Sequence, residues 1–548
     1  MTVINAIDRI AGIHPDDTAV IHRMSHGKKA ELTWHQLAIQ SCALARHLRA
    51  LGMKPGDLVC IAMQRCIEHV ITMLAVLRGG GAFASLNPRL TPKQIETISG
   101  ACNSPFLVLD SSGLIRASNL EAGCLRRTVP IHFAGTTPLS PVHRACKEKL
   151  GEAARIETFL IEETTAEAVP EDPVRPLPTV VGRDAALALF TSGSTGQPKG
   201  VLVSHQDLVN RVAGECRDFR LTASDRLLNL LPFSFDVGLN QLFTALTRGI
   251  QLVLTSSWLA RDICSAVEEH GITGISGVPT LWNTMLAHDD TEAVQRTLDR
   301  LRYLTISGGD MSRDQLIRLR QAAPRTGIYK TYGQTEAFRG AILFPEEFDE
   351  KMTTVGRPVD GTDVFVLSAD GGRAAPDEPG EIIHRGDGVM VGYVGDPEGT
   401  RGKLKGNPLQ PDRIRFPQQV IFTGDIGKMD ADGYLTVLGR RDRMLKIRGN
   451  RVYPKEILDV VLSHEHVQDA VVFGVRDEVN GHAIHAEVQL RNGRQIPARE
   501  LASYLARHLP SYMVPAKIIP VDSFPRTASG KIRLSAVEEK YGLGAAQG

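Results

Sequence analysis

The sequence predicts an α/β protein. It reads as a large N-terminal domain of parallel-type sheets with helices and a β-rich subdomain, followed by a small α+β C-terminal domain. Three observations predict this. Short apolar runs alternate with stretches of helical apolar spacing, as strands joined by crossover helices do. Several of those runs end in small or polar residues, and ligands collect at the carboxyl ends of strands in open parallel sheets. Beyond Gly439-Arg440-Arg441-Asp442 the character changes to that of a compact mixed unit. A chain of 548 residues is not expected to form one domain. The boundary is placed at Asp442, giving a core of 1–441 and a C-terminal domain of 442–548.

Each element has its own signal. Leu37 to Leu51 has helical spacing and stops at Gly52, the expected C-terminal glycine. Asp57 to Met63 reads as a strand, and Val70 to Leu77 as a helix that runs into Arg78-Gly-Gly-Gly81. Residues 111–180 hold several prolines and an acidic patch near Glu162-Glu163, with no clear period; they read as loops with one or two short elements. Ala185 to Phe190 reads as a buried strand. Between 225 and 345 three strand exits stand out: Gly274 to Thr280, Leu301 to Asp310 and Ile328 to Glu336. Residues 355–440 are rich in glycine and β-formers, as in 363–367, 380–384 and 433–438. The last part reads as helices at 454–462 and 498–508 with strands near 469–475 and 485–490.

Composition excludes several classes. Apolar content of 42% and charge of 23% are ordinary for soluble globular proteins. A formal net charge of +1 gives no basis for a nucleic-acid or anionic-membrane partner. No apolar run approaches the ~18 residues of a membrane span. The start lacks the basic region and apolar core of a signal peptide. The eight cysteines contain no Cys-x-x-Cys, so neither a zinc site nor a disulfide frame is expected, and a reducing cytoplasm fits.

The densest chemical signal is Thr191-Ser192-Gly193-Ser194-Thr195-Gly196-Gln197-Pro198-Lys199. Glycines let backbone N–H groups turn toward a ligand, while hydroxyls and a lysine add donors and charge; together they suit a polyphosphate. It is not a Walker A loop, because Lys199 follows proline and is not followed by Ser or Thr. An ordinary polar turn with a surface lysine is the bland alternative. Tyr332-Gly333-Gln334-Thr335-Glu336 ends a strand-like run; Tyr332 could stack on a purine and Glu336 could hold Mg2+, a hard cation that takes carboxylate and phosphate oxygens. A capped turn explains that pentapeptide equally well. In Ile421-Phe-Thr-Gly-Asp425 a carboxylate could accept both hydroxyls of a cis-diol, or cap a turn.

In order along the chain, these motifs resemble those of the adenylate-forming superfamily: acyl-CoA synthetases, peptide-synthetase adenylation domains and luciferases. The resemblance runs from about Leu32 to Lys531. It implies a phosphate loop at Thr191–Lys199 and adenine-binding segments at Gly308-Gly309-Asp310 and Tyr332–Thr335. It implies a ribose-binding Asp425 and a nucleotide-facing Arg440, although Ile421 and Phe422 stand where the family often has Tyr and Arg. The long match Gly439 to Glu456 makes Asp442 the hinge of a mobile C-terminal domain and puts Lys446 and Gly449 at the thiol tunnel; a basic solvated loop is the alternative. Pro525-Arg-Thr-Ala-Ser-Gly-Lys531 resembles the motif whose lysine serves adenylation. ATP and Mg2+ follow as the implied cofactors, and Lys199, Glu336 and Lys531 as the catalytic set.

The acid is the open question. Leu231-Pro-Phe-Ser-Phe235-Asp236 lacks the histidine of many acyl-CoA synthetases and carries the Phe-Asp of peptide-synthetase domains, whose aspartate receives a substrate ammonium. Asp236 could instead pair with an internal lysine, arginine or backbone N–H; the reading leans to an amino acid. Phe235, Asn240, Phe338 and Arg339 complete the expected substrate pocket. Gln334, where peptide-synthetase domains usually have proline, points back toward acyl-CoA ligases, and 233–242 with Thr335 to Arg339 resembles stand-alone bacterial AMP-dependent ligases. No phosphopantetheine-type serine site follows Lys531, so the expected acceptor is a carrier protein in trans, with CoA as the alternative. A nucleotide-binding protein without catalysis would not need Lys199, Glu336, Lys446 and Lys531 together; nothing specific supports a luciferase-type oxygenase.

Overall fold

The computed structural model describes residues 2–24, 28–110, 129–133, 157–159, 177–192, 198–411, 418–447, 450–477, 481–491, 496–527 and 530–543. They form an α/β fold in two compact units. One comprises Met1–Ser276 with Thr335–Phe338 and Asp387–Gly402; the other comprises Gly277–Gln334, Arg339–Gly386 and Lys403–Gly548.

In the first unit an eight-stranded sheet runs in the order Gly392–Tyr393, Pro198–Ser204, Ala185–Ser192, Ala82–Ser85, Leu58–Ala62, Phe106–Asp110, Val129–Phe133 and Glu157–Phe159. The strands from Ala185–Ser192 to Glu157–Phe159 pair parallel. Pro198–Ser204 folds back antiparallel on Ala185–Ser192, with Thr191 opposite Lys199. Every residue of Leu58–Ala62 is buried, which is why it reads as an unbroken apolar run. The helix Ile67–Arg78 is buried at every residue but Glu68. Trp34–Ala50 begins at a capping box in which Thr33 and Gln36 satisfy each other's backbone N–H groups. A second set of strands pairs Arg226–Asn229 parallel with Gln251–Thr255, which also pairs parallel with Thr18–Arg23.

Two helices of this unit carry or adjoin candidate site residues. His205–Asp218 starts at the end of Pro198–Ser204, capped reciprocally by Ser204 and Asp207. Asp236–Arg248 is buried from Gly238 to Thr247 and ends at Gly249 in the left-handed conformation, φ 72°. A Cβ on Gly238 would come within 2.5 Å of the Leu231 carbonyl oxygen and 2.7 Å of the Pro232 one. The glycine therefore lets the first turn, with Asp236, sit directly against the Leu231–Pro232 backbone.

In the second unit Tyr303–Ile306 pairs parallel with Gly327–Gln334. Thr362–Leu367, Gly380–Gly386, Gln419–Met429 and Leu435–Arg440 form an antiparallel sheet, the β-rich part expected from the glycine-rich sequence. Toward the C-terminus, Val467–Asp477 pairs antiparallel with Gly481–Leu490, which pairs parallel with Lys517–Val521. The helices Pro454–Leu462 and Ala498–His508 lay Ile457, Val461, Leu501 and Leu505 onto that sheet, in a core with Val467, Ala486 and Val488. No helix among the described residues is long and apolar enough to cross a membrane.

A charge cluster ties Pro454–Leu462 to the strand exits of the same unit. Asp310 receives Lys330 Nζ at 2.7 Å and Lys455 Nζ at 2.9 Å, and Lys455 also reaches Asp459 at 2.7 Å. Lys330 is 1% exposed and donates to the Met352 carbonyl at 3.1 Å. Burial alone would raise the Asp310 pKa; the two ammonium groups outweigh it and hold the carboxyl well below the ordinary carboxylate range. A depressed folded-state pKa contributes stability that is complete above the unfolded value, about 3.9, and is lost as pH falls toward the folded one. Asp310→Asn leaves Lys330 without its carboxylate and should cost about 3–5 kcal/mol at neutral pH. In urea titrations the gap from the parent should stay constant down to about pH 4 and close only below it. A gap that shrinks between pH 7 and 5 would contradict this account.

Candidate active site

Glu336 follows the strand Gly327–Gln334, in a short turn held inside the first unit. Its Oε1 accepts the Tyr393 hydroxyl at 2.7 Å, and its main-chain carbonyl accepts the Met390 N–H at 2.8 Å. Lys199 Nζ lies 5.2 Å from the centroid of the same tyrosine ring and 3.9 Å from Asp396 Oδ2. One aromatic ring thus carries the acidic group at its hydroxyl and the cation near its face, which favours an ammonium. Thr191, opposite Lys199 in the hairpin, directs its hydroxyl to the Lys199 carbonyl at 3.5 Å. Ser192 ends its strand, and Gly193, Ser194, Thr195 and Gly196 lie outside the described residues.

Asp236 stands in the first turn of its helix behind the extended Phe235. Its Oδ1 accepts the Val237 N–H at 2.8 Å, and its Oδ2 accepts the Thr335 hydroxyl at 3.2 Å. Its partners are thus two neutral donors, with the buried Arg211 acting on it through space. Asn240, one turn on, is 3% exposed and donates its amide N–H to the Glu215 carboxylate, while its Oδ1 has no hydrogen-bond partner among the described residues. Phe338 adopts φ 50°, a left-handed conformation strained for an aromatic residue, and its ring faces Arg211 at 5.0 Å. Arg339 is half-buried in the strand Phe338–Leu343.

In the second unit Tyr332, 9% exposed, donates its hydroxyl to Asp425 Oδ2 at 2.7 Å. Burial and then the Asp425 charge push the phenol pKa well up, so it remains a donor. Arg440 Nη1 reaches Asp425 Oδ1 at 3.1 Å and the Thr423 carbonyl at 2.9 Å, and its Nε contacts Asp442 at 3.4 Å. Tyr332, Asp425, Arg440 and Asp442 are therefore one connected group. Gly424 turns at φ 74° beside the Arg440 guanidinium, which lies 3.1 Å from where a Cβ would stand. Gly308 turns at φ 70° and Gly309 is exposed, whereas Asp310 is held by Lys330 and Lys455. Gly333 is exposed, and Gln334 has a buried amide nitrogen with no hydrogen-bond partner among the described residues.

Lys446 lies in Leu445–Ile447, opposite Arg451, and Gly449 lies outside the described residues. Lys531 closes a tight turn: its N–H donates to Thr527 Oγ1 at 3.1 Å, and its carbonyl accepts the Thr527 N–H at 2.7 Å. Within the same unit that turn is clasped by Thr280, which donates to the Gly530 carbonyl at 2.8 Å, and by Arg526, which reaches Gly530 at 3.1 Å and Asp469 at 2.6 Å.

Sequence reasoning did not single out Tyr393, Asp396, Arg211 or Thr280, which contact Glu336, Lys199, Phe338 and the Lys531 turn respectively. Tyr393 and Asp396 stand in a stretch read only as glycine- and β-rich, and no local pattern announces that they meet Glu336 and Lys199. Arg526 and Lys455 lie inside quoted motifs, next to residues that drew the attention.

The chain is similar to known proteins over most of its length. The family model for AMP-binding enzymes matches residues 7–394, and that for the AMP-binding enzyme C-terminal domain matches 456–531. The chain is 29% identical over 514 residues to surfactin synthase subunit 2 of Bacillus subtilis (strain 168), covering 92% of this chain but 13% of that protein. It therefore spans only a small part of the curated relatives it matches. Among solved structures, the o-succinylbenzoate CoA synthetase of Bacillus subtilis with its acyl-adenylate intermediate aligns with a TM-score of 0.78 at 26% identity, over 96% of each chain. An anthranilate CoA ligase in complex with anthranoyl-AMP gives 0.83 at 21% identity, over 99% of this chain and 97% of that one, a likeness of fold. With the first family model matching well over half of its length, the chain belongs to the AMP-binding enzyme family, the adenylate-forming ligases.

Proposed function

We propose that the protein uses ATP to convert a carboxylic acid, with an amino acid favoured, to an acyl-AMP with release of pyrophosphate. It then passes the acyl group to a thiol, favouring the phosphopantetheine of a carrier protein, with CoA as the alternative. The observation that carries the first step is the Lys199–Tyr393–Glu336 arrangement, an acid and a cation fixed on one ring. Adenylation joins two anions: a carboxylate oxygen attacks the α-phosphorus, and the bond from that phosphorus to the pyrophosphate oxygen breaks. Charge arranged beforehand is what such a step needs. Lys199 and Lys531 would supply it. Asp425, already oriented by Tyr332 and Arg440, keeps lone pairs for the ribose hydroxyls.

The residues also fit Mg2+. No group of three or more His, Cys, Asp or Glu side chains that could hold a metal occurs among the described residues. Mg2+ is commonly held by one or two carboxylates plus substrate phosphates, so Glu336 alone is a suitable protein ligand. Bound there, it would neutralise phosphate charge.

The amino-acid preference rests on Asp236. Its two partners are a hydroxyl and a backbone N–H, so it keeps acceptor capacity for an ammonium. The Phe235-Asp236 pair, like that of peptide-synthetase domains, supports the same reading. We place the boundary between core and C-terminal domain at Asp442; the gap between the two family models, from 394 to 456, supports it.

Asp236→Ala should abolish pyrophosphate exchange with amino acids while ATP binding, read by calorimetry, is retained; undiminished amino-acid exchange would exclude the ammonium role. Lys531→Ala should slow exchange by about 10²–10³. The same variant, given preformed acyl-AMP, should still release AMP to a thiol. Comparing holo carrier protein with CoA in that assay decides the acceptor, and equal or better turnover with CoA would favour the alternative.

A further inference from the structure

The segment that carries Glu336 is held from one side by an arginine that none of the motifs includes. Arg211, in the helix His205–Asp218, is 5% exposed. Its Nη2 donates to the Gly388 carbonyl at 2.7 Å, and its guanidinium lies 5.0 Å from the centroid of the Phe338 ring. Beside it, Asn210 Nδ2 donates to Asp387 Oδ1 at 2.9 Å. One helix turn therefore grips two distant pieces of chain, Thr335–Phe338 and Asp387–Gly402, which belong to its own compact unit.

Those two pieces are also fitted to each other. Gly388 has φ 88°, and a Cβ there would stand 3.1 Å from both the Ala337 carbonyl oxygen and the Phe338 Cβ. Two residues on, the Met390 N–H donates to the Glu336 carbonyl at 2.8 Å. Phe338 is left-handed, a conformation that persists only where the surroundings over-determine it. A guanidinium is suited to this post because its plane can lie on a ring while its edge donates; an ammonium can only donate. Burial lowers the Arg211 pKa to about 10, opposed by Asp207 and Asp236, so the group still carries its charge at neutral pH.

We infer that Arg211 is a positioning residue for Glu336: by clasping Gly388 and Phe338 it fixes the turn whose carboxylate takes the metal of the nucleotide. The inference rests on the proposed role of Glu336 as the Mg2+ carboxylate and adds the group that sets its place. Arg211 itself touches neither nucleotide nor metal in this scheme.

The test is a calorimetric titration of ATP into the full chain, first in EDTA and then at rising Mg2+. The factor by which Mg2+ tightens ATP binding is compared among the parent, Glu336→Gln, Arg211→Met and Arg211→Lys. Glu336→Gln should lose that enhancement. Arg211→Met should lose about tenfold of it, the scale typical of groups behind a metal ligand, with ATP affinity in EDTA unchanged. Arg211→Lys, which keeps the donor and loses the plate, should fall between Arg211→Met and the parent. Full Mg2+ enhancement in Arg211→Met, beside a loss in Glu336→Gln, would overturn the inference and leave the Glu336 reading standing. Full enhancement in Glu336→Gln would remove that reading and the inference with it. If Arg211→Met does not fold, as judged by its thermal transition, Arg211→Gln is read against the same criterion.

Discussion

A carboxylate that is to meet a phosphate-bound cation has to be fixed before the ligand arrives, because ordering it afterwards would cost side-chain entropy at each turnover. Glu336, the carboxylate proposed for that role, is fixed by contacts from far along the chain. Tyr393 holds its carboxylate, Met390 its carbonyl, and Arg211 grips the neighbouring Phe338. The positive φ at Phe338 and the missing Cβ at Gly388 are what let those contacts close together. The chemistry proposed for the first unit centres on this knot, since the same Tyr393 ring also carries Lys199.

How much of this was legible in the sequence depended on how local the determining contacts are. The helices Pro454–Leu462 and Ala498–His508 match their sequence reading residue for residue, the first opening on proline and both carrying a strong apolar face. Trp34–Ala50 begins three residues before the spacing suggested, because its start is set by the Thr33–Gln36 capping box and not by its first apolar residue. The strand read at 469–475 extends over Val467–Asp477, as strand ends continue beyond their apolar centre. Most of the poorly patterned stretch 111–180 lies outside the described residues, which there give the short strands Val129–Phe133 and Glu157–Phe159.

The site divides in the same way. Lys199, Tyr332, Glu336, Asp425 and Arg440 stand in dense local patterns, where residue type and order suffice to single them out. Their partners do not. Tyr393 meets Glu336 across 57 positions, Asp425 meets Tyr332 across 93, and Arg211 meets Gly388 across 177. Only the sheet order and helix packing bring those together, and neither is written in a local period. Arg211 stands in a stretch where the sequence reading names no element; its burial makes it stand out.

The aspartates that drew attention from sequence differ in how much acceptor capacity the fold has already used. Asp310 has an ammonium on each oxygen and the Met311 N–H on Oδ1 at 2.9 Å, so its charge is neutralised from within. A motif that resembles an adenine-binding segment thus carries a carboxylate engaged in holding Pro454–Leu462. Asp425 is intermediate, with one phenol and one guanidinium. Asp236 has a hydroxyl and a backbone N–H, neither charged, and lies in the first turn of a helix whose N-terminal dipole favours a negative group. Its hydrogen-bond partners are neutral, and the one cation noted near it, Arg211, acts through space while donating to Gly388. Among the three, Asp236 alone is hydrogen-bonded only by neutral donors, and the proposal of an amino-acid substrate rests on that difference.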